Sequence, residues 1–358
     1  MSTPLTPRSV EFKTSVALAL SGLDVPAKKL QDLCGREKPP GQHHMRYTPA
    51  DVRVAKYRAA GVEPPVTGQL ALTPKMPPVI VTRMTKGGVG KTSIAVNVAA
   101  CMSMMGFRVL VIDADPQASA SNLLGVFNSS FQSDDEEPVH IGTLLRKGTS
   151  APDPELPAVI QHIYEGGLLD LIPSDITLSE VDAALVTAMS SHTRAELFFT
   201  RNSAYFAQHY DVIIVDTAPG TTPIGMAFTY AARQSGKILA IVEPEGACLR
   251  ALDSLSSNLT EIKTLTGAIV GMEVVINKYH SSLKHVRESM GFLYSKYGNM
   301  LNDVIIPQSS SFSRQLIPGD RLAGPVVENE PSSVASTAVI DLTKALCVSF
   351  GVKLPGLE

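Results

Sequence analysis

The sequence has no tryptophan and only four cysteines in 358 residues. Cys34, Cys101, Cys248 and Cys347 lie far apart, and no C-x-x-C pair occurs. That spacing excludes a paired-cysteine iron–sulfur centre and gives no disulfide framework. The thiols read as buried or incidental ones in a reducing cytoplasm. The missing tryptophan excludes nothing. Charged residues are few, at 18%, and the formal net charge is −3. A nucleic-acid partner is therefore not announced by overall charge, and any basic surface must be local. No apolar run approaches membrane-spanning length, and the N-terminus lacks a signal-peptide core. No internal repeat is visible. Apolar residues are plentiful at 44%, enough for a large core in a chain longer than one ordinary domain needs.

Residues 1–61 read as a compact helical unit. One helix spans Glu11 to Leu20, and Pro26 opens another that Gly35 stops. Lys38 to Gly41 is a loop. Thr48 is placed to N-cap a third helix, with Pro49 at its first position and Asp51 at its third, running to Gly61. Arg46, Arg53, Lys56 and Arg58 lie on or beside that helix, so a helix-turn-helix that reads DNA is expected here. Residues 62–78 carry Pro64, Pro65, Pro74, Pro77 and Pro78, a semi-rigid linker and a domain boundary.

From 79 to 358 apolar strands alternate with helices. The strand cores are Val79–Val81, Val109–Ile112, Leu168–Ile172, Val212–Val215, Ile238–Val242, Val274–Ile276 and Val304–Ile306. Continuous apolar strands spaced by helices predict an α/β fold with a doubly wound, mostly parallel sheet, preceded by the small helical domain. Ligand then sits at the carboxyl ends of the strands. The acidic stretch Asn128 to Pro138 reads as a solvated insertion.

Lys86-Gly87-Gly88-Val89-Gly90-Lys91-Thr92-Ser93 follows the first of these strands and opens a helical pattern. Such a loop aims consecutive backbone N–H groups at one point, and the helix N-terminus adds positive potential. Lys91 is placed to reach the outer phosphates of a nucleotide, and the Thr92 hydroxyl to ligate Mg2+. The usual phosphate-loop glycine is replaced by Thr85, and Lys86 stands directly before the glycine pair. Asp113 and Asp115 close the second strand, and Asp216 ends the Val212–Val215 strand. Carboxylates at these edges suit a Mg2+ shell or an attacking water.

Three segments, Lys86–Ser93, Val109–Ser119 and Asp211–Gly220, resemble the ParA/MinD family of deviant-Walker ATPases. Leu169 to Ser174 is similar to a recurrent ParA segment, and Tyr47 to Arg53 is similar to a helix start in the N-terminal DNA-binding domain of longer plasmid-type members. The resemblance implies ATP and Mg2+ as cofactors. It gives Lys86 a reach across a sandwich dimer and Lys91 the phosphates of its own subunit. It gives Thr92 the metal, Asp115 the hydrolytic water, Asp216 the metal shell and Asp113 a supporting place at the same site. Met84-Thr85 depart from the Asn/Gln types usual there. Asn277-Lys278-Tyr279-His280 begins like a guanine-reading motif, but His280 replaces its carboxylate. Adenine is expected, with Asn277 a candidate base contact.

The implied function is an ATP-hydrolysing DNA-segregation protein in the cytoplasm, associated with the nucleoid. It would be a homodimer with ATP, bind nonspecific DNA through late-chain residues such as Lys284 and Arg287, answer to a ParB-type partner and repress its own operator. The alternative is a MinD-like membrane-positioning ATPase. It needs a terminal basic amphipathic helix, whereas Val348 to Pro355 is broken by Gly351 and Pro355 and carries one lysine, Lys353. No membrane is expected.

Overall fold

The computed structural model describes residues 6–37, 44–65, 75–126, 140–147, 150–188, 191–317 and 323–357. The Lys38–Gly41 loop, most of the proline-rich linker, the acidic stretch 128–138 and Arg321 lie outside them.

Ten strands are described. They are β1 (Phe12–Lys13), β2 (Arg46–Tyr47), β3 (Val79–Arg83), β4 (Val109–Ala114), β5 (Gln161–His162), β6 (Leu169–Ile172), β7 (Val212–Thr217), β8 (Gly236–Val242), β9 (Gly271–Tyr279) and β10 (Leu301–Pro307). Eight form one sheet in the order β10-β9-β8-β3-β7-β4-β6-β5. Every pair is parallel except β5 with β6, which sequence reasoning did not anticipate. β5 is two residues long and not continuously apolar, so it carries no strand signal of its own. The seven expected strands are all present, and β3, β4 and β7 are buried along their whole length. Apolar strands buried on both faces need helices on both sides of the sheet.

Register decides what meets at the carboxyl edge. Thr82 of β3 pairs with Asp216 of β7, and Asp216 pairs in turn with Asp113 of β4. Three polar side chains from separate segments are thereby stacked in one buried row.

The N-terminal residues form α1 (Thr14–Ser21), α2 (Ala27–Cys34) and α3 (Pro49–Ala59), with β1 and β2 paired antiparallel. Thr48 and Asp51 make a reciprocal capping box. The Asp51 N–H donates to Thr48 Oγ1 at 3.3 Å and the Thr48 N–H to Asp51 Oδ2 at 2.7 Å. The helix start is therefore as the sequence indicates, but the outward basic face is not. Arg53 is buried, donating to Asp211 Oδ2 at 2.6 Å and to the Gly106 carbonyl at 2.8 Å. The Lys56 ammonium lies 4.9 Å from the Phe107 ring centroid, and burial pushes it down to about 8. Tyr57 donates to the Pro355 carbonyl at 2.8 Å. These contacts correct the reading of Arg53 and Lys56 as DNA ligands, since both point toward the body built on the large sheet. Arg46 and Arg58 stay exposed.

Gly106 makes this docking possible. Its φ is +89°, and a Cβ there would stand 2.8 Å from the Arg53 backbone. The helix Val334–Ser349 packs on α4 (Lys91–Met104) and β10, burying Val339, Leu342 and Leu346. Its apolar face is thus spent on the sheet. Among the described residues, no helix is long and apolar enough to cross a membrane.

Candidate active site

The loop between β3 and α4 turns on glycines in the left-handed region, Gly88 at φ +78° and Gly90 at +88°. Gly90 is also the residue that caps α4. A Cβ on it would come within 2.4 Å of Asn277 Nδ2, so both its conformation and its neighbour demand glycine. Asn277 and Lys278, at the end of β9, brace the loop from the side. Asn277 Nδ2 donates to the Val89 carbonyl at 2.8 Å, and Lys278 Nζ to the Gly88 carbonyl at 2.6 Å. Asn277 Oδ1 is buried without a partner. The expected base contact of Asn277 is therefore narrowed to this one acceptor atom. Its donor end holds the loop.

Lys91 opens α4 and is buried at the bottom of the loop. Burial lowers its pKa, while Asp216 and Asp115 pull it back up. Asp216 is fully buried, accepts from Thr82 Oγ1 at 2.9 Å through Oδ1, and leaves Oδ2 without a partner. Burial pushes its carboxyl up to about 6, against the pull of the Thr92 and Thr82 hydroxyls and the Lys91 ammonium. Asp113 has a different part. It accepts from the Ser121 N–H at 2.8 Å, the Ser121 hydroxyl at 2.7 Å and the Asp115 N–H at 3.2 Å. Burial and the neighbouring Asp216 push it up to about 7. Its oxygens are committed to holding the chain around Asp115. Asp115 lines the cleft and accepts from the Gln117 N–H at 2.9 Å.

The cleft has a volume of about 850 Å³. The loop residues, Thr92, Ser93 and Asp115 line it together with Gln308, Phe312 and Leu316. That size is ample for a nucleotide. Lys86 does not face it. Its ammonium pairs with Glu245 and lies 3.7 Å from Glu243 Oε2, and Glu243 also pairs with Lys278. Sequence reasoning missed Glu243 and Glu245, although both follow an apolar strand at its carboxyl edge, the same signal that marked Asp216. It also missed Arg83, fully buried, which donates to the Gly220 carbonyl at 3.1 Å and ties the segment after Asp216 to β3. Lys284 and Arg287 are exposed on the helix Lys284–Tyr297, remote in sequence from this loop.

A protein family described as AAA domain matches residues 78–271, which hold the loop, Asp113, Asp115 and Asp216. This chain belongs to that family. The match takes in more than half of the sequence and stops just as β9 begins. Sporulation initiation inhibitor protein Soj of Bacillus subtilis is 26% identical over 74% of this chain and 96% of its own length. The ATP complex of a Cyanothece McdA variant superposes with a TM-score of 0.61 at 18% identity, over 78% of this chain and 98% of that one. A structure described as a partition protein reaches 0.62 at 18% identity, over 95% of this chain and 92% of its own. That span is too long to leave out the N-terminal elements, and it shows a shared fold. A plasmid partition protein of Borrelia burgdorferi bound to AMPPNP also shares the fold, with a TM-score of 0.55 at 18% identity over 77% of this chain and 98% of that one.

Proposed function

We propose that this protein hydrolyses ATP to drive DNA partition. The observation that carries the reading is the buried row at the loop. Lys91 and Asp216 are both buried there, Asp216 Oδ2 has no partner, and Asp115 lines the same cleft. A buried carboxylate oxygen without a donor is costly unless a cation or a metal-bound water completes it. Thr92 and Asp216 fit a Mg2+ shell on that ground. Bound there, the ion would neutralise phosphate charge. Lys91 and the loop N–H groups bind the phosphates, and Asp115 orients the attacking water and draws on its proton. Positioning and charge neutralisation supply most of the catalysis in such a transfer.

Lys86 faces out of its own cleft, which supports a reach toward a second subunit's phosphates in an ATP-bound homodimer. We extend the reading to nonspecific DNA binding, with Lys284 and Arg287 among the exposed bases, and to stimulation by a ParB-type partner. Nucleoid association would follow from the DNA binding. Operator binding rests on Arg46 and Arg58. The test is ATP turnover with and without nonspecific DNA and a candidate ParB-type partner. Turnover raised by both together is expected. Absence of any turnover in all mixtures rejects the reading.

A further inference from the structure

Two buried amides join two segments that line the cleft. Asn97 sits on α4, one turn beyond Ser93, and is fully buried. Gln315 follows the short helix Ser311–Arg314 and is 2% exposed. Asn97 Nδ2 donates to the Ser93 carbonyl and to Gln315 Oε1, both at 2.8 Å. Gln315 Nε2 donates to Ser93 Oγ at 2.8 Å. Asn97 Oδ1 accepts from the Val326 N–H at 2.7 Å, and the Gly324 N–H donates to the Gln315 carbonyl at 3.0 Å. The network thus runs from the first turn after the phosphate loop to the segment whose Phe312, Ser313 and Leu316 line the same cleft.

Those two segments do different work. The loop fixes phosphates, so a nucleoside attached to them extends toward Gln308, Phe312 and Leu316. That wall offers apolar and aromatic surface and little charge. Gln315 touches neither end of the ligand. It sets the distance and angle between them, because its amide is the buried link from Phe312 and Leu316 to Ser93. A buried, fully bonded amide pair has one low-energy arrangement, and losing one partner leaves the other amide and a hydroxyl unsatisfied. Outside the core, Arg314 holds the same segment through Glu330 at 2.6 Å.

We infer that Gln315 is a positioning residue that holds the base-side wall in register with the phosphate loop, so that this site selects nucleosides joined to a phosphate chain over the chain alone. The inference rests on the proposed ATP binding. Its test compares two probes on the full-length protein by calorimetry, Mg2+ with ATP and Mg2+ with inorganic tripolyphosphate. Gln315→Met keeps the length of the side chain and removes its hydrogen bonds. It should weaken ATP about tenfold and leave tripolyphosphate within about twofold of the wild type, because Gln315 reaches only the Ser93 hydroxyl at the end of the loop and neither Lys91 nor the loop glycines. Equal losses for the two probes would overturn the inference, since general support of the loop predicts that. Unchanged ATP affinity would overturn it as well. If Gln315→Met does not fold, Arg314→Ala carries the test from the surface. It should give a smaller selective loss of ATP, and equal or absent losses overturn the inference again. A wild type that binds tripolyphosphate but not ATP rejects the wall as a nucleoside site. A wild type that binds neither rejects the ATPase reading itself.

Discussion

The Arg53 guanidinium and the Asp211 carboxylate meet at 2.6 Å, joining α3 to the start of β7 in a site closed to solvent. Asp211 is shared. Its Oδ1 accepts from Arg108 Nη2 at 2.7 Å and Nε at 3.1 Å, while Oδ2 takes Arg53 and the Arg108 N–H. One buried acid therefore ties the N-terminal unit and the sheet together. Losing Arg53 leaves Asp211 to Arg108 alone and the Gly106 carbonyl without this donor, which costs about 1–3 kcal/mol. Arg53→Ala should lose that much in chemical denaturation, whereas Arg46→Ala, on the exposed surface, should stay within about 0.5 kcal/mol of wild type. Equal stability of the two variants would contradict the docking.

Truncation tests the same seam differently. Residues 79–358 alone should retain ATP turnover and bind arbitrary DNA with ATP, but melt below the full-length protein, because α3 leaves Phe107 and Asp211 uncovered. Discrimination between promoter and scrambled DNA should disappear with residues 1–75, and also in full-length protein carrying Arg46→Ala with Arg58→Ala. A DNA titration across salt separates base reading from phosphate contact, which loses about 0.9 log units per neutralised phosphate for each log unit of salt. Full discrimination by the truncated form would remove the N-terminal unit from operator reading.

The two loop lysines should fail in different ways. Lys91→Ala is expected to abolish measurable ATP binding by calorimetry, since the phosphate charge loses its buried counter-charge. Lys86→Ala should still bind ATP as a monomer but lose turnover and the ATP-dependent dimer, measured by light scattering. Its ammonium lies on Glu245, outside the cleft. Normal dimerisation of Lys86→Ala would refute the cross-subunit role.

Asp115→Ala should bind ATP within a few-fold of wild type and lower turnover by at least tenfold. A group that acts on the water contributes in the transition state more than in the ground state. Trapped ATP-bound dimers should accumulate. Wild-type turnover would rule Asp115 out.

Lys56 gives a pH signature. Its folded-state pKa of about 8 lies below the ordinary lysine value of 10.5, because burial disfavours the charged form. Between those values the unfolded chain binds more protons than the folded one, so this group's contribution to stability rises with pH. Its cost is fully present below about pH 8 and gone above about 10.5. Lys56→Met should therefore be more stable than wild type at pH 7, with the gap closing across that window. Melting temperatures of both proteins from pH 7 to 10.5 check it, and a constant gap would show that Lys56 does not titrate there.

Much of the sheet was legible because its signal is local. A parallel strand buried on both faces must be apolar throughout, so Val109–Ile112 and Val212–Val215 declare themselves. The phosphate loop declares itself for a similar reason. Only glycine serves at Gly90, where φ is +88° and the Asn277 amide stands in the way. The Thr48 cap was legible too, since a capping box is written within four residues.

Burial direction was not. Arg53 and Lys56 look like a basic helix face, and nothing within α3 says which face a distant Gly106, Asp211 and Phe107 will cover. Glu243 and Glu245 were passed over because only folding brings them to Lys86. The Ser93–Asn97–Gln315 link spans 222 residues of sequence. The sequence by itself determined the seven apolar strands and the glycine loop, since each depends on periodicity or backbone conformation within a short window. Tertiary structure alone decided which charges face inward and which carboxylates share a row, because strand register and helix docking set those distances between segments that carry no mark of one another.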